Sequence, residues 1–479
     1  MNDFTRYDRQ KLIEGWDQKR LSEGTATIIG SGAIARYTAL SLAALGVGNI
    51  RILDTEQGNA MLLDLPIQGN MAENTARAIR IINPGINVTA INTNLTTRTA
   101  QYFLKDSTVI IETTNNITSK AHAAEYHYET KTPLISVGGG QNQGKIIAGE
   151  TCEQLLLPMY KGQKQGDLIG LALGGMAAEE AKKAIMNSGN TLTRMYTYNL
   201  ESRVRFSHVK DQQIMNENGE FRRARVLIVG AGALGCFLGP AMAKLGPENI
   251  TVMDYDTVEE HNLNRQVCYY DAVGQLKAQR LAQTMRITSP SIEVTAITEK
   301  FTPETKLERY DLILDAVDSF YTKAMLHKYA LENGIPIISG GTDPRAATVI
   351  VYVPEKTSCF DCQIHLSQLA LKAEILRRTS CLQAPDPSVI MTNQIAAAFM
   401  TAEARTVLRP DIYGDPVNGE LKYIADFDTR GGATIRNKPC NCRTTQSLEL
   451  PIPSRVHIEE TEEGDGKKRR RVYVDGREI

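Results

Sequence analysis

The chain has 479 residues, 42% of them hydrophobic, with a formal net charge of -1. That length corresponds to roughly two to four domains of ordinary size, with ample apolar material for buried cores. A balance so close to neutrality argues against electrostatic capture of nucleic acid or of an anionic membrane as the main function.

The N-terminal MNDFTRYDRQ carries no signal-peptide pattern, and no apolar run reaches the roughly 18 residues of a membrane span, so a cytosolic protein is expected. After RYDRQ and a short helical stretch comes TATIIGSGAIARYTALSLAALGVGNIRILD, read as a strand, a glycine turn at Gly30 and Gly32, a helix, and a second strand ending at Asp54. The polar, turn-rich segments IMNSGN and VKDQQIMNENGE close this part and put a boundary near residue 217. The unit then returns as RVLIVGAGALGCFLGPAMAKLGPENITVMD: a strand of buried type from Val226 to Val229, a turn at Gly230, Gly232 and Gly235, an amphipathic helix, and a strand ending at Asp254. Further segments echo in the same order. RIINPGINV matches RITSPSIEV, STVIIETTNN matches YDLILDAVDS, TPLISVGGG matches IPIISGGT, and GGMAAEEAKKAI matches AAFMTAEARTVL. The chain is a tandem duplication of an α/β unit, residues 1–217 and 218–450, with a short tail at 451–479.

In the second copy the glycines let the backbone approach a phosphate at a helix start, where free N–H groups and the helix dipole favour negative charge. Asp254, at the strand end, can accept hydrogen bonds from a ribose. The residues beyond Asp254 narrow the chemistry. DYDTVEEHNLNRQ, GQLKAQR and DLILDAVDS place Asn262, Arg265, Gln266, Lys277 and Asp318 near the ends of parallel strands, where ligand crevices form. Two cations can neutralise charge building on a triphosphate and an acid can hold magnesium.

GAGALG, DYD, NLNRQ, GQLK and AVDS, in this order and spacing, resemble the ubiquitin-activating enzyme superfamily, which includes the adenylyltransferases of molybdopterin and thiamine biosynthesis. The resemblance covers residues 220 to 445. It implies two tandem Rossmann-like adenylation domains forming a pseudo-dimer. It also implies that ATP and magnesium activate the C-terminal glycine carboxylate of a ubiquitin-like protein as an acyl adenylate. Asp254, Arg265, Lys277 and Asp318 would then be ribose binder, two phosphate ligands and magnesium ligand, with Gly230, Gly232, Gly235, Asp256, Asn262 and Ser319 completing the nucleotide site.

The first copy departs from the pattern where the chemistry lies. Met71 falls at the place of Lys277, Asn115 at that of Asp318, Ala35 replaces the third glycine, and no NLNRQ block follows Asp54. It reads as an inactive half, either a scaffold or the donor of one residue. By the resemblance, homodimeric members use the second arginine of an R-Y-x-R-Q segment to reach the partner's nucleotide, which makes Arg9 the residue that would enter the second half's site. A surface arginine capping a helix is the plainer alternative.

Eight cysteines in a reducing compartment suggest metal ligands or reactive thiols before disulfides. Cys359 and Cys362 form CFDC, and Cys440 and Cys442 form CNC; four thiolates from two knuckles suit a tetrahedral structural zinc, though the second pair is one residue shorter than the C-x-x-C of bacterial relatives. Cys381 follows the basic Lys372, Arg377 and Arg378 and precedes a long helical stretch, surroundings that lower a thiol pKa. In the family the cysteine at this place is the reactive one, taking the acyl group as a thioester or forming an acyl disulfide. Too few residues separate Cys362 from Ile390 for a separate catalytic-cysteine domain. Cys152, Cys236 and Cys268 read as core thiols, and His261 is the histidine placed to approach the nucleotide. The tail reads as a hairpin around Gly464 to Gly466, pairing an acidic arm at Glu459–Glu463 with a basic arm at Lys467–Arg471.

The expected activity is ATP-dependent activation of a ubiquitin-like protein, followed by thioester formation on Cys381 and hand-over to a conjugating enzyme. The rivals are adenylation of a sulfur carrier for cofactor or tRNA thiolation, an NAD-dependent oxidoreductase, and a non-catalytic scaffold.

Overall fold

The structure is a computed structural model that describes residues 5–148, 152–192, 195–200, 206–207, 221, 223–379, 387–425, 434–436, 456–462, 468–474 and 477–478. Cys381, Cys440 and Cys442 lie outside the described residues.

Two eight-stranded sheets repeat one topology. In the first, the strands run in the order 206–207, 196–199, 143–147, 134–139, 109–112, 25–29, 49–53, 87–91. The second, taken from its opposite edge, runs 293–297, 249–253, 225–229, 312–315, 337–342, 346–352, 420–424, 434–436. In each, the glycine-turn strand sits between two parallel neighbours, and antiparallel strands extend the far side. The central strands TATII and RVLIV are almost wholly buried, as expected for parallel strands covered by helices on both faces. The duplication read from sequence is therefore a duplication of fold.

The halves share one core. The helix Asp167–Met186 of the first half packs on Ala33–Leu45 of its own half and on Ile390–Leu408 of the second. Small residues make this approach possible: a Cβ at Gly170 would sit 2.5 Å from that of Ala33, and one at Gly175 would sit 2.9 Å from Ile395. Within this apolar seam Gln394 is fully buried and fully engaged. Its Nε2 donates to Leu171 O at 2.8 Å, and its Oε1 accepts from Ser41 Oγ at 2.7 Å. At the seam's rim Lys244 of the second half meets Asp167 of the first at 2.6 Å.

A second tie had no sequence signal. Where the second half carries its NLNRQ block, the first half folds residues Gln57–Leu62 and Leu65–Asn70 into an antiparallel hairpin. Leu63, at its tip, is buried in the left-handed conformation with φ 57°. Asp64 beside it reaches across to Arg280 at 2.8 Å, both side chains about 4% exposed. Arg280 also meets Asp271, and Thr288 Oγ1 donates to Leu63 O. The hairpin thus grips the helix Lys277–Thr288, the element that begins with a candidate phosphate ligand.

The tail forms the anticipated hairpin, Val456–Glu462 against Lys468–Val474, with a third short strand at Arg477–Glu478. Its register sets Glu459 opposite Arg471, Glu460 opposite Arg470 and Glu462 opposite Lys468. Among the described residues no helix is long and apolar enough to cross a membrane.

Replacing Gln394 by Ala removes both cross-seam hydrogen bonds and opens a gap between packed helices, with an expected loss of about 2–4 kcal/mol of stability. Urea denaturation measures it; an unchanged midpoint would mean that the seam does not hold the halves together.

Candidate functional site

The second-half turn is shaped by backbone crowding. Gly230 has φ 101°, and a Cβ there would lie 2.6 Å from Ala316 O, so only glycine fits. Gly235 presses the helix onto the turn, where a Cβ would meet Gly230 O at 2.4 Å. Gly232 is different. Nothing lies within 4 Å of its Cβ direction, and it begins the helix Ala233–Leu245 with no side-chain cap. The helix N-terminus is open on the side where a phosphate would approach.

Polar groups ring this opening. Asp254 follows the strand Asn249–Met253, and its carboxylate accepts from Ala231 N at 2.6 Å and from Asp256 N at 2.8 Å. Burial pushes its pKa up, against the pull of those two N–H groups. A carboxylate has about four lone-pair sites, so capacity remains for ribose hydroxyls. Lys277, 7% exposed, is held by Asp256 at 3.1 Å, and its backbone N donates to Asp256 O. Arg265 is also buried, donating from Nη1 to His261 O at 2.9 Å and to Asn264 Oδ1 at 2.8 Å. Burial, together with the charge of Arg9, brings its guanidinium down to about 10, still cationic at neutral pH. Asp318 is exposed in the loop after the strand Leu312–Asp315, and Ser319 caps the next helix by accepting from Thr322 N.

Two other residues of the motif behave differently from one another. Asn262 Oδ1 accepts from Glu259 N in a capping box, so this oxygen staples the loop and is not directed at a ligand. Gln266, 5% exposed, keeps its Oε1 buried without a partner among the described residues. An acceptor left unmatched in a buried place is costly unless something else supplies the donor.

The first half delivers its N-terminus to this ring. In the short helix Asp8–Lys11, Gln10 is fully buried; its Nε2 donates to Leu45 O and Gln18 Oε1, and its Oε1 accepts from Asn264 Nδ2 at 3.3 Å. Tyr7 OH accepts from Asn83 Nδ2 at 2.9 Å. Arg9, anchored between these two, extends its Nη2 to 3.4 Å from His261 Nε2. RYDRQ therefore lies against HNLNR, as a donor of Arg9 to the other half must.

The corresponding place in the first half is closed by its own chain. Gln165 Oε1 accepts from Ile34 N at 3.0 Å, covering the helix start, and its Nε2 donates to Thr113 O at 2.6 Å. A Cβ at Gly32 would run into this amide at 2.5 Å. Asp54 is taken by Ser31 Oγ, Thr55 N and Glu56 N, and Asn115 Nδ2 donates to Gly139 O and Gln163 O. A cavity of about 2190 Å³ does open over this half; its lining includes these committed groups and Lys244, Arg405 and Tyr413 of the second half, but none of Asp254, Arg265 and Lys277.

One repeated feature escaped the sequence reading. Lys323 is buried against Asp315 at 3.2 Å, with Ser339 and Gly340 O as further partners; in the first half Lys120 pairs in the same way with Glu112, Ser136 and Val137 O. Both pairs stand eight residues apart, each carboxylate ending its strand, Val109–Glu112 or Leu312–Asp315, and aligning IETTNNITSK with LDAVDSFYTK would have exposed them. They brace the floor under Asp318 and Asn115.

Of the cysteines, Cys236 and Cys268 are core thiols, the Sγ of Cys268 donating to Cys236 O. Cys359 is buried at the start of the helix Phe360–Ile364, and Cys362 is half-buried on it. His327 holds this knuckle, Nε2 accepting from Phe360 N at 3.0 Å; burial takes its pKa down to about 3, so the imidazole stays neutral. Among the described residues no three His, Cys, Asp or Glu side chains gather as a metal site; Cys440 and Cys442 of the zinc expectation and Cys381 of the thioester expectation lie outside them.

A model of the ThiF family matches residues 7–218 and again residues 208–444. The chain belongs to the ThiF family. This ThiF chain is 28% identical over 165 residues to the SUMO-activating enzyme subunit 2 of Dictyostelium discoideum, a match covering 33% of this chain and 25% of that protein. It is 31% identical over 146 residues to the adenylyltransferase and sulfurtransferase UBA4 of Yarrowia lipolytica, covering 30% and 37%. It is 28% identical over 203 residues to the molybdopterin-synthase adenylyltransferase of Escherichia coli, covering 41% and 77%. The matched region thus spans well under half the length of the first two.

With one open ThiF turn and one closed, calorimetric titration with ATP and magnesium is expected to saturate at about one nucleotide per chain. Saturation at two would show that Gln165 yields its place to a ligand.

Proposed function

We propose that the second half binds ATP and activates the C-terminal carboxylate of a ubiquitin-like protein as an acyl adenylate. The observation that carries this reading is the uncapped helix start at Gly232 together with the buried cations Arg265, which feels the charge of Arg9 from the other half, and Lys277, which feels that of Asp254. Three cations beside an uncapped helix start suit charge that builds during phosphoryl transfer, and hydride transfer has no use for them. Gly230 to Gly235 would cradle the phosphates, Asp254 the ribose, and Gln266 Oε1 offers the nucleotide an acceptor. Asp318 would hold magnesium, whose contribution is neutralisation of phosphate charge.

In the proposed step a carboxylate oxygen attacks the α-phosphorus. A P–O bond forms, the bond to the β-phosphate oxygen breaks, and pyrophosphate leaves with the displaced electron pair. Arg9, Arg265 and Lys277 stabilise the charge on the leaving group, and burial of the two second-half cations keeps water from screening them. The Cys381 thiolate then attacks the acyl carbon, forming a thioester and releasing AMP, and a conjugating enzyme receives the acyl group.

The UBA4 relative, named both an adenylyltransferase and a sulfurtransferase, supports a second reading in which the adenylate passes to a sulfur donor. The fusion of two unlike halves favours the first reading, because a single chain provides both the open turn and the arginine that lies against the HNLNR loop beside it.

The test is ATP–pyrophosphate exchange with glycine-terminated ubiquitin-like partners, together with intact-mass spectra under non-reducing conditions. Exchange is expected to fall about 100- to 1000-fold in Arg265→Ala, Lys277→Ala and Asp318→Asn. Cys381→Ala is expected to keep exchange and lose a thiol-sensitive adduct. Exchange without any adduct in the unaltered protein selects the sulfur-carrier reading, and no exchange with any partner overturns the proposal.

A further inference from the structure

Three groups stand in line across the boundary between the halves. Glu259 Oε2 lies 3.1 Å from His261 Nδ1, and His261 Nε2 lies 3.4 Å from Arg9 Nη2. Glu259 is fixed in turn by its capping box with Asn262. An arginine can only donate, so Nε2 has to present a lone pair to it; a carboxylate can only accept, so Nδ1 has to carry the proton. The neutral Nδ1–H tautomer satisfies both neighbours at once, whereas the imidazolium would turn an N–H toward a guanidinium.

We propose that His261 is the positioning residue for Arg9, receiving the guanidinium on Nε2 and so fixing the first half's arginine beside the nucleotide crevice of the second. This deepens the adenylation reading and rests on it. The role is of a positioning kind, since His261 acts through Arg9. The groups facing the imidazole are Arg9 from the N-terminal helix, Glu259 and Arg265 from its own loop, and Lys277 from the following helix. Burial first, then the Arg9 charge, hold His261 below its ordinary 6.5, and Glu259 opposes them. The neutral, Arg9-binding form therefore predominates at neutral pH, and it is lost as the pH falls through this lowered value.

The consequence is an acid limb in the pH profile of exchange that belongs to a residue outside the phosphate-contacting set. Exchange measured from pH 5 to 8.5 in the unaltered chain should show that limb. His261→Ala should lower the rate at pH 8 by about 10- to 100-fold, the size of a lost hydrogen bond to a charged group. His261→Gln, whose amide oxygen accepts at any pH, should recover most of that loss and abolish the limb. Arg9→Ala should be as slow as the double variant Arg9→Ala/His261→Ala, because the histidine has nothing left to position.

A second measurement does not need activity. In the full chain labelled with ¹³C-histidine, the NMR titration of His261 should move to higher pH in Arg9→Ala, as the neighbouring cation is removed. An unmoved titration, or a His261→Gln profile that keeps the acid limb, overturns the assignment of His261. Absence of exchange in the unaltered chain overturns the adenylation reading instead, and the titration still decides whether His261 and Arg9 are coupled.

Discussion

The approach of the helix Ile390–Leu408 to Asp167–Met186 is the contact on which the rest of the molecule depends. It merges two sheets into one core, and Gly175 on the first-half helix brings the backbones close, while Gly170 and Gly174 seat that helix on its own half. An apolar seam alone would leave the helices free to slide by a turn. Gln394 sets the register, because its amide finds Ser41 and Leu171 O in one alignment, and a buried amide displaced from its partners is expensive. With the register set, the N-terminal Arg9 and Gln10 fall against His261 and Asn264, and the Asp64 hairpin falls against Arg280.

The two glycine turns illustrate how one fold can keep its shape and change its chemistry. Both helices start at a glycine without a side-chain cap of its own. In the first half a neighbouring loop brings Gln165 to the vacant N–H, and an amide oxygen takes the part that a phosphate oxygen would otherwise take. The strand, the turn and the helix need not change for this to happen. The helix start is met by an internal hydrogen bond, and Asp54 follows the same logic by accepting from Ser31 and its own loop.

Much of this was legible from residues alone, and the reason is locality. The strand, glycine turn, helix and terminal aspartate lie within one stretch of chain, so their pattern survives without knowledge of tertiary contacts. The duplication was visible because each half repeats that stretch, and the first half's departure from the motif because Met71 and Asn115 stand where a cation and an acid were due. What stayed hidden is non-local. Gln165 reaches a helix start 131 residues earlier in the chain, and Arg280 meets Asp64 across 216 residues. Neither has a local signature, and the hairpin that carries Asp64 replaces a motif with a segment that matches nothing in the other half. The buried Lys323–Asp315 pair is an intermediate case: its spacing is local, but a lysine in a polar stretch ordinarily reads as solvated. The candidate site residues Arg265 and Lys277 stand out through their motif, while the partners that orient them, Asn264 and Asp256, belong to the tertiary fold.

The seam also fixes an order of events during synthesis. Leu171 and Gln394 are 223 residues apart, so the first half leaves the ribosome long before the helix that covers it. At roughly 5 to 20 residues per second the interval is about 10 to 45 s, during which an apolar helix face waits without its mate. A domain in that position is committed to its own downstream sequence. Fusion of the halves in one chain turns this wait from a search for another molecule into the closing of a loop, whose entropic cost rises only slowly with length.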